Sequence, residues 1–173
     1  MSLSLYEVTV PSFAQLIEAM AGVLKKGEAH ALEKGMQPDE WVGARLFSDM
    51  APLSFQVKQA AHHSVGAIEA TKKGVFSPDL TAPPQTFAEL KATVDATLAA
   101  LAAYRPDEVN ELVGRDMRFQ LGERVMPFTA ENFLLSFSLP NFYFHATTAY
   151  DILRHNGVPL GKRDYMGRPR LKV

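Results

Sequence analysis

The chain has 173 residues, 47% hydrophobic and 21% charged, enough for one domain whose core needs no staples; it has no cysteine, which excludes disulfides and thiolate metal sites. A formal net charge of -1, with both signs spread along the chain, offers no broad basic surface for phosphate backbones, so nucleic acid is not an expected partner. The opening MSLSLYEVTVPSF lacks a basic segment and a long apolar core, and no apolar run approaches the roughly 18 residues of a membrane span, so the expectation is a cytoplasmic protein, neither secreted nor membrane-spanning.

In chain order, Thr9 or Val10 followed by Pro11 predicts the start of helix one, because proline at the first helical position gives up no needed donor. Phe13, Leu16, Ile17, Met20, Val23, Leu24, Gly27 and Ala31 recur at helical spacing until Gly35. Gly22 and Gly27 suit a helix best if another backbone packs close there. Gly35 to Gly43 is a loop with Trp41 as its anchor on the bundle end.

Helix two is expected from about Asp49 or Met50, with Pro52 in its first turn and Gly74 at its end. Its apolar stripe is Leu46, Met50, Leu53, Val57, Ala60, Ala61, Ser64 and Ile68. The adjacent pair His62 and His63 lies roughly 140° and roughly 120° from the centre of that stripe, so neither is a natural core residue and only one of them easily faces a central site.

Ser77 to Gln85, with three prolines, is a crossover loop. Thr86 to Glu89 is a capping box, and helix three runs through Phe87, Leu90, Val94, Leu98 and Leu101 to stop before Pro106. Met117, Phe119 and Leu121 then alternate with polar residues around Gly122, the pattern of a short hairpin or extended flap. Thr129 opens helix four, and Pro140 should kink or restart it.

Beyond Pro140, Phe142, His145, Ala146, Ala149, Ile152 and Leu153 share one face at about 100° per residue, with His145 roughly 30° from its centre. His145 therefore points inward, with Asn141 one turn earlier and Thr148 and Tyr150 nearby as possible polar neighbours. After Gly157 the tail has no periodicity and is expected to pack along the bundle as an irregular arm. The chain has no GxGxxG, P-loop, HExxH or GxSxG, and no paired carboxylates on one inward face.

The phrases RLFSDMAPLSFQVKQAAHHSVGA in helix two and LPNFYFHATTAYDILRHNGVPLGKRDY in helix four resemble the DinB/YfiT-like four-helix-bundle superfamily, within a bacterial branch that is a domain of unknown function. The resemblance covers nearly the whole chain. It implies an all-α, up-down-down-up bundle with long connections after helix two and before helix four. It also implies a divalent metal, zinc or nickel, held by one helix-two histidine and two helix-four positions one turn apart, and in some relatives thiol-dependent transferase activity. Carried onto this sequence, the helix-four positions are His145 and Asn141, an asparagine where relatives have histidine, and the helix-two ligand is His62 or His63. Two functions stay open: a metal-dependent transferase or hydrolase, and a non-catalytic bundle that binds a small ligand or dimerises. A homodimer is expected in part from the resemblance and in part from Phe55, Val65 and Phe144, apolar residues off the main stripes of their helices.

Overall fold

In the computed structural model, which describes residues 3–172, helix one begins earlier than Pro11. Helix α1 spans Leu5–Glu33. Ser4 Oγ accepts from the Glu7 amide at 3.3 Å, and the Ser4 amide donates to Glu7 Oε2 at 2.8 Å, a closed capping box that outweighs the proline signal. Pro11 sits inside the helix, where its missing N–H deprives the Glu7 carbonyl of its ladder partner; Arg170 Nη1 from the tail donates to that carbonyl at 3.5 Å. A 3-10 turn at Pro38–Trp41 then buries Trp41 beside His30, as expected of the anchor.

Helix two also starts later than the stripe suggests, because Pro52 is the extended residue before it. It runs as α2, Leu53–Ala61, a π-helical turn, His62–Gly66, and α3, Ala67–Lys73, closed by Gly74 at φ 74°. Helix three, α4, is Phe87–Ala103 behind the predicted Thr86 box, and a short α5 follows at Pro106–Asn110. Helix four opens at Thr129 as α6, Ala130–Asn132, passes through a second π turn, Phe133–Ser138, and continues as α7, Leu139–His155. The restart expected at Pro140 thus takes the form of a π turn just before it. A register shift costs least where a proline has already removed one amide from the ladder.

The all-α expectation needs correcting by a three-stranded sheet. The expected hairpin is β2, Asp116–Leu121, antiparallel to β3, Arg124–Thr129. Unanticipated is β1, Val75–Phe76, which leaves α3 at Gly74 and pairs parallel to β2, with Val75 opposite Arg118. Two residues carry no alternation, so only the neighbouring strand defines them. The tail is not wholly irregular either: α8, Lys162–Met166, packs on α1, tied by Lys26 to Asp164 at 2.7 Å and Gln15 to the Met166 carbonyl at 2.8 Å.

Helix α1 packs against α4 and α7, and α2 against α7 and α4, which sets helices one and two on a diagonal of the bundle. Phe13 and Phe142 meet edge to face at 4.8 Å between α1 and α7, both fully buried; each such side chain contributes about 1.5–3 kcal/mol. No helix among the described residues is long and apolar enough to cross a membrane.

No backbone packs close to Gly22: a Cβ there meets nothing within 4 Å. Gly22→Ala is therefore expected to stabilise the fold by about 1 kcal/mol in urea unfolding. Gly167→Ala has the opposite sign, because its φ is 61° and its Cβ would lie 3.2 Å from Ala19 Cβ and from the Gln15 carbonyl; it should free the tail, seen as faster proteolysis after Lys162.

Candidate functional site

The π turn His62–Gly66 faces the second π turn, and the two adjacent histidines of the first diverge there. His63, only 6% exposed, turns to helix four, where its ring centroid lies 5.8 Å from that of His145 with the ring planes 17° apart. A regular α-helical phase sets His63 far from the apolar stripe, but the π turn departs from that phase and helix two is covered on more than one side. Helix two in fact buries Ser54, Gln56, Lys58 and Gln59 as well as Leu53, Val57 and Ala60 of the stripe, being covered by α7, α4 and the crossover loop.

Polar contacts fix both rings. His145 Nδ1 lies 2.7 Å from Gln56 Oε1, and Gln56 Nε2 donates to the Ala51 carbonyl at 2.9 Å. His63 Nδ1 lies 3.3 Å from Ser138 Oγ, which itself donates to the His63 carbonyl at 2.9 Å. Neither Nε2 has a hydrogen-bond partner among the described residues, and no buried side-chain nitrogen or oxygen there is left unsatisfied, so both Nε2 atoms retain access to solvent. The walls are aromatic: Phe55 and Phe144 flank His145 at 6.0 and 5.4 Å, and Phe76 and Phe137 flank His63 at 5.1 and 6.0 Å.

His62, with its ring centroid 5.7 Å from that of His63, turns its polar edge to the crossover loop instead. Its Nε2 meets the Ser77 carbonyl at 3.0 Å and its ring lies on Phe76 at 4.3 Å. A Cβ at residue 66 would lie 2.9 Å from His62 Nδ1, so Gly66 makes room for this ring. Buried Lys58 holds the same loop through Asp79 Oδ1 at 3.1 Å and the carbonyls of Asp79 and Thr81 at 3.2 and 2.5 Å. Burial works to raise the Asp79 carboxyl, but Thr81 and Lys58 outweigh it and hold it at about 2. Together Lys58 and His62 latch the crossover loop onto helix two.

Of the other predicted residues, Asn141 is half-buried one turn before His145, and its Nδ2 donates to the Phe137 carbonyl at 2.7 Å. Thr148 is buried and spends its hydroxyl on the Phe144 carbonyl at 2.8 Å. Tyr150 turns away to α1 and the tail, packing on Tyr165 at 5.9 Å beside Leu16 and Met20. Gln56 and Ser138 carry no signal as site residues in the sequence beyond the place of Gln56 seven residues before His63, on the same side of the helix. A cleft of about 370 Å³ between α1 and α4 is lined by the ion pair of Lys91 and Glu28, 2.7 Å apart, together with Lys25 and Asp95.

Burial pushes the His63 imidazole down to about 3, with His145 and His62 adding to the effect, and burial alone holds His145 at about 4. Both are neutral at pH 7, the form that binds metals and accepts protons. Burial lowers His62 too, partly offset by its bond to Ser77. In the unfolded chain these groups titrate near 6.5, so below that pH the unfolded state binds more protons than the folded one. Stability is accordingly expected to be full above about pH 6.5 and to fall towards pH 4, with a slope approaching two protons in urea unfolding. His145→Gln should flatten that slope by about one proton.

The match to known proteins agrees with this architecture. Residues 5–166 match the family described as "Domain of unknown function (DUF1993)". The chain is similar in structure to a DinB family member protein from Shewanella denitrificans, with a TM-score of 0.81 and 28% identity over 98% of this chain and 95% of that one. No curated protein matches. With nearly its whole length covered by that family model and its bundle shared with a DinB relative, the chain belongs to the DUF1993 family and is a DinB-like domain of unknown function.

Proposed function

We propose that His63 and His145 form the centre of a divalent-metal-dependent enzyme of the transferase or hydrolase type, acting in the cytoplasm, with zinc or nickel as the ion and the Asn141 carboxamide oxygen as a third, weaker donor. The observation that supports it is the pairing of two neutral imidazoles with ring centroids 5.8 Å apart, each with an Nε2 that no group among the described residues uses. Two imidazoles and one carboxamide oxygen would hold such an ion weakly. Imidazole suits zinc and nickel, and the Asn141 amide nitrogen is already committed to Phe137, which leaves its oxygen for a ligand. When bound, such an ion acidifies a water or thiol at its open positions. The chain's own contribution is to hold the imidazoles neutral and fixed between the rings of Phe55, Phe76, Phe137 and Phe144.

A second reading, a non-catalytic dimeric bundle that takes a small ligand or thiol on the same imidazoles, is favoured by the absence of any cluster of three or more His, Asp or Glu among the described residues able to hold a metal. Metal analysis of untagged protein incubated with zinc or nickel separates the two. Near-stoichiometric metal that is lost in a folded His145→Ala variant, with His62→Ala unchanged, is expected; wild-type protein that returns metal-free from both ions would leave the ligand-binding bundle.

We also propose a homodimer. Phe144 is 56% exposed, with Leu135 and Tyr143 on the same helix also exposed, whereas Phe55 and Val65 are half-buried and contribute less than their phase suggested. Light scattering at micromolar concentration should give about twice the chain mass, and Phe144→Glu should halve it; a monomeric wild type would refute the proposal.

A further inference from the structure

We infer that Gln56 and Ser138 are positioning residues that lock His145 and His63 in the Nδ1–H tautomer, so that each ring presents an Nε2 lone pair to whatever binds at the centre. The inference rests on the reading of His63 and His145 as the functional pair.

Following the protons leads to it. Gln56 is 2% exposed and cannot turn to water for its hydrogen bonds. Its Nε2 must face the Ala51 carbonyl at 2.9 Å, because the flipped amide would set two oxygens against each other. Its Oε1 therefore faces His145 Nδ1 at 2.7 Å, and an amide oxygen only accepts, so the ring donates. In a neutral imidazole with the proton on Nδ1, Nε2 carries the lone pair.

Ser138 produces the same result by a different route. Its hydroxyl is fully buried and has one hydrogen, which lies along the 2.9 Å contact to the His63 carbonyl. Towards His63 Nδ1, at 3.3 Å, Oγ is left as an acceptor, and again the ring donates from Nδ1. Neither Nε2 meets a protein partner among the described residues.

His62 supplies an internal contrast. Its Nε2 meets the Ser77 carbonyl, which can only accept, so this ring carries its proton on Nε2. Two histidines adjacent in sequence thus hold opposite tautomers: one latches a loop and the other is prepared as a base or ligand. Outer groups of this kind orient imidazoles and raise their basicity towards a metal.

The test is a two-bond ¹H–¹⁵N correlation spectrum of metal-free protein at pH 7, with the histidine signals assigned by single substitutions. His63 and His145 are expected as Nδ1–H and His62 as Nε2–H. Gln56→Leu should shift His145 towards Nε2–H and weaken zinc binding about 10- to 100-fold. Ser138→Ala should redistribute His63 in the same way. A wild-type spectrum with His145 as Nε2–H would overturn the inference, and it decides the matter even if Gln56→Leu does not fold. An unchanged His145 tautomer in folded Gln56→Leu would overturn it as well. Wild-type protein with the expected tautomers that takes up no zinc would sink the metal reading and leave the positioning roles intact.

Discussion

The hydroxyl of Ser138 joins two distortions that would each be costly alone. It lies at the end of one π turn and bonds both the backbone and the ring of His63 in the other. A π turn gives up regular ladder geometry, and such turns concentrate where a side chain must be aimed at a site. Here they let helix two deliver His63 to helix four although its α-helical phase points elsewhere. Around that contact, Phe76, Phe133 and Phe137 exclude water, which keeps the imidazoles neutral and makes each remaining hydrogen bond count for more.

The same few residues divide two tasks between neighbours. Lys58 and His62 hold the loop that follows β1, the strand that carries Phe76 into the aromatic wall behind His63. The unexpected strand is part of this arrangement: β1 pairs with β2 and fixes the backbone that presents Phe76, so the hairpin supports the site without contributing a polar group to it. Asn141 stands out because its amide is spent on the helix, a pattern of local side chain-to-backbone bonding common to Asn, Ser and Thr in helices.

Much of the bundle was legible in the residues. The Thr86 box, the Thr129 cap, the hairpin around Gly122 and the inward face of His145 follow from short-range rules, and the structure bears them out. The start of helix one was misplaced because two start signals compete there. Pro11 is favourable at a first turn but tolerable within a helix when another donor reaches the abandoned carbonyl, and that donor, Arg170, lies in the distant tail.

The sequence by itself determined the bodies of the four main helices, the Thr86 and Thr129 caps and the inward phase of His145, because each depends on residues within a turn or two of one another. Tertiary structure alone decided which of His62 and His63 reaches helix four, that Gln56 and Ser138 serve the pair, and that Val75 and Phe76 form a strand. The physical reason is common to all three. A buried polar group is placed by the partner that satisfies it, and those partners, Gln56 for His145, Ser138 for His63 and Ser77 for His62, are chosen by the packing of separate elements rather than by periodicity.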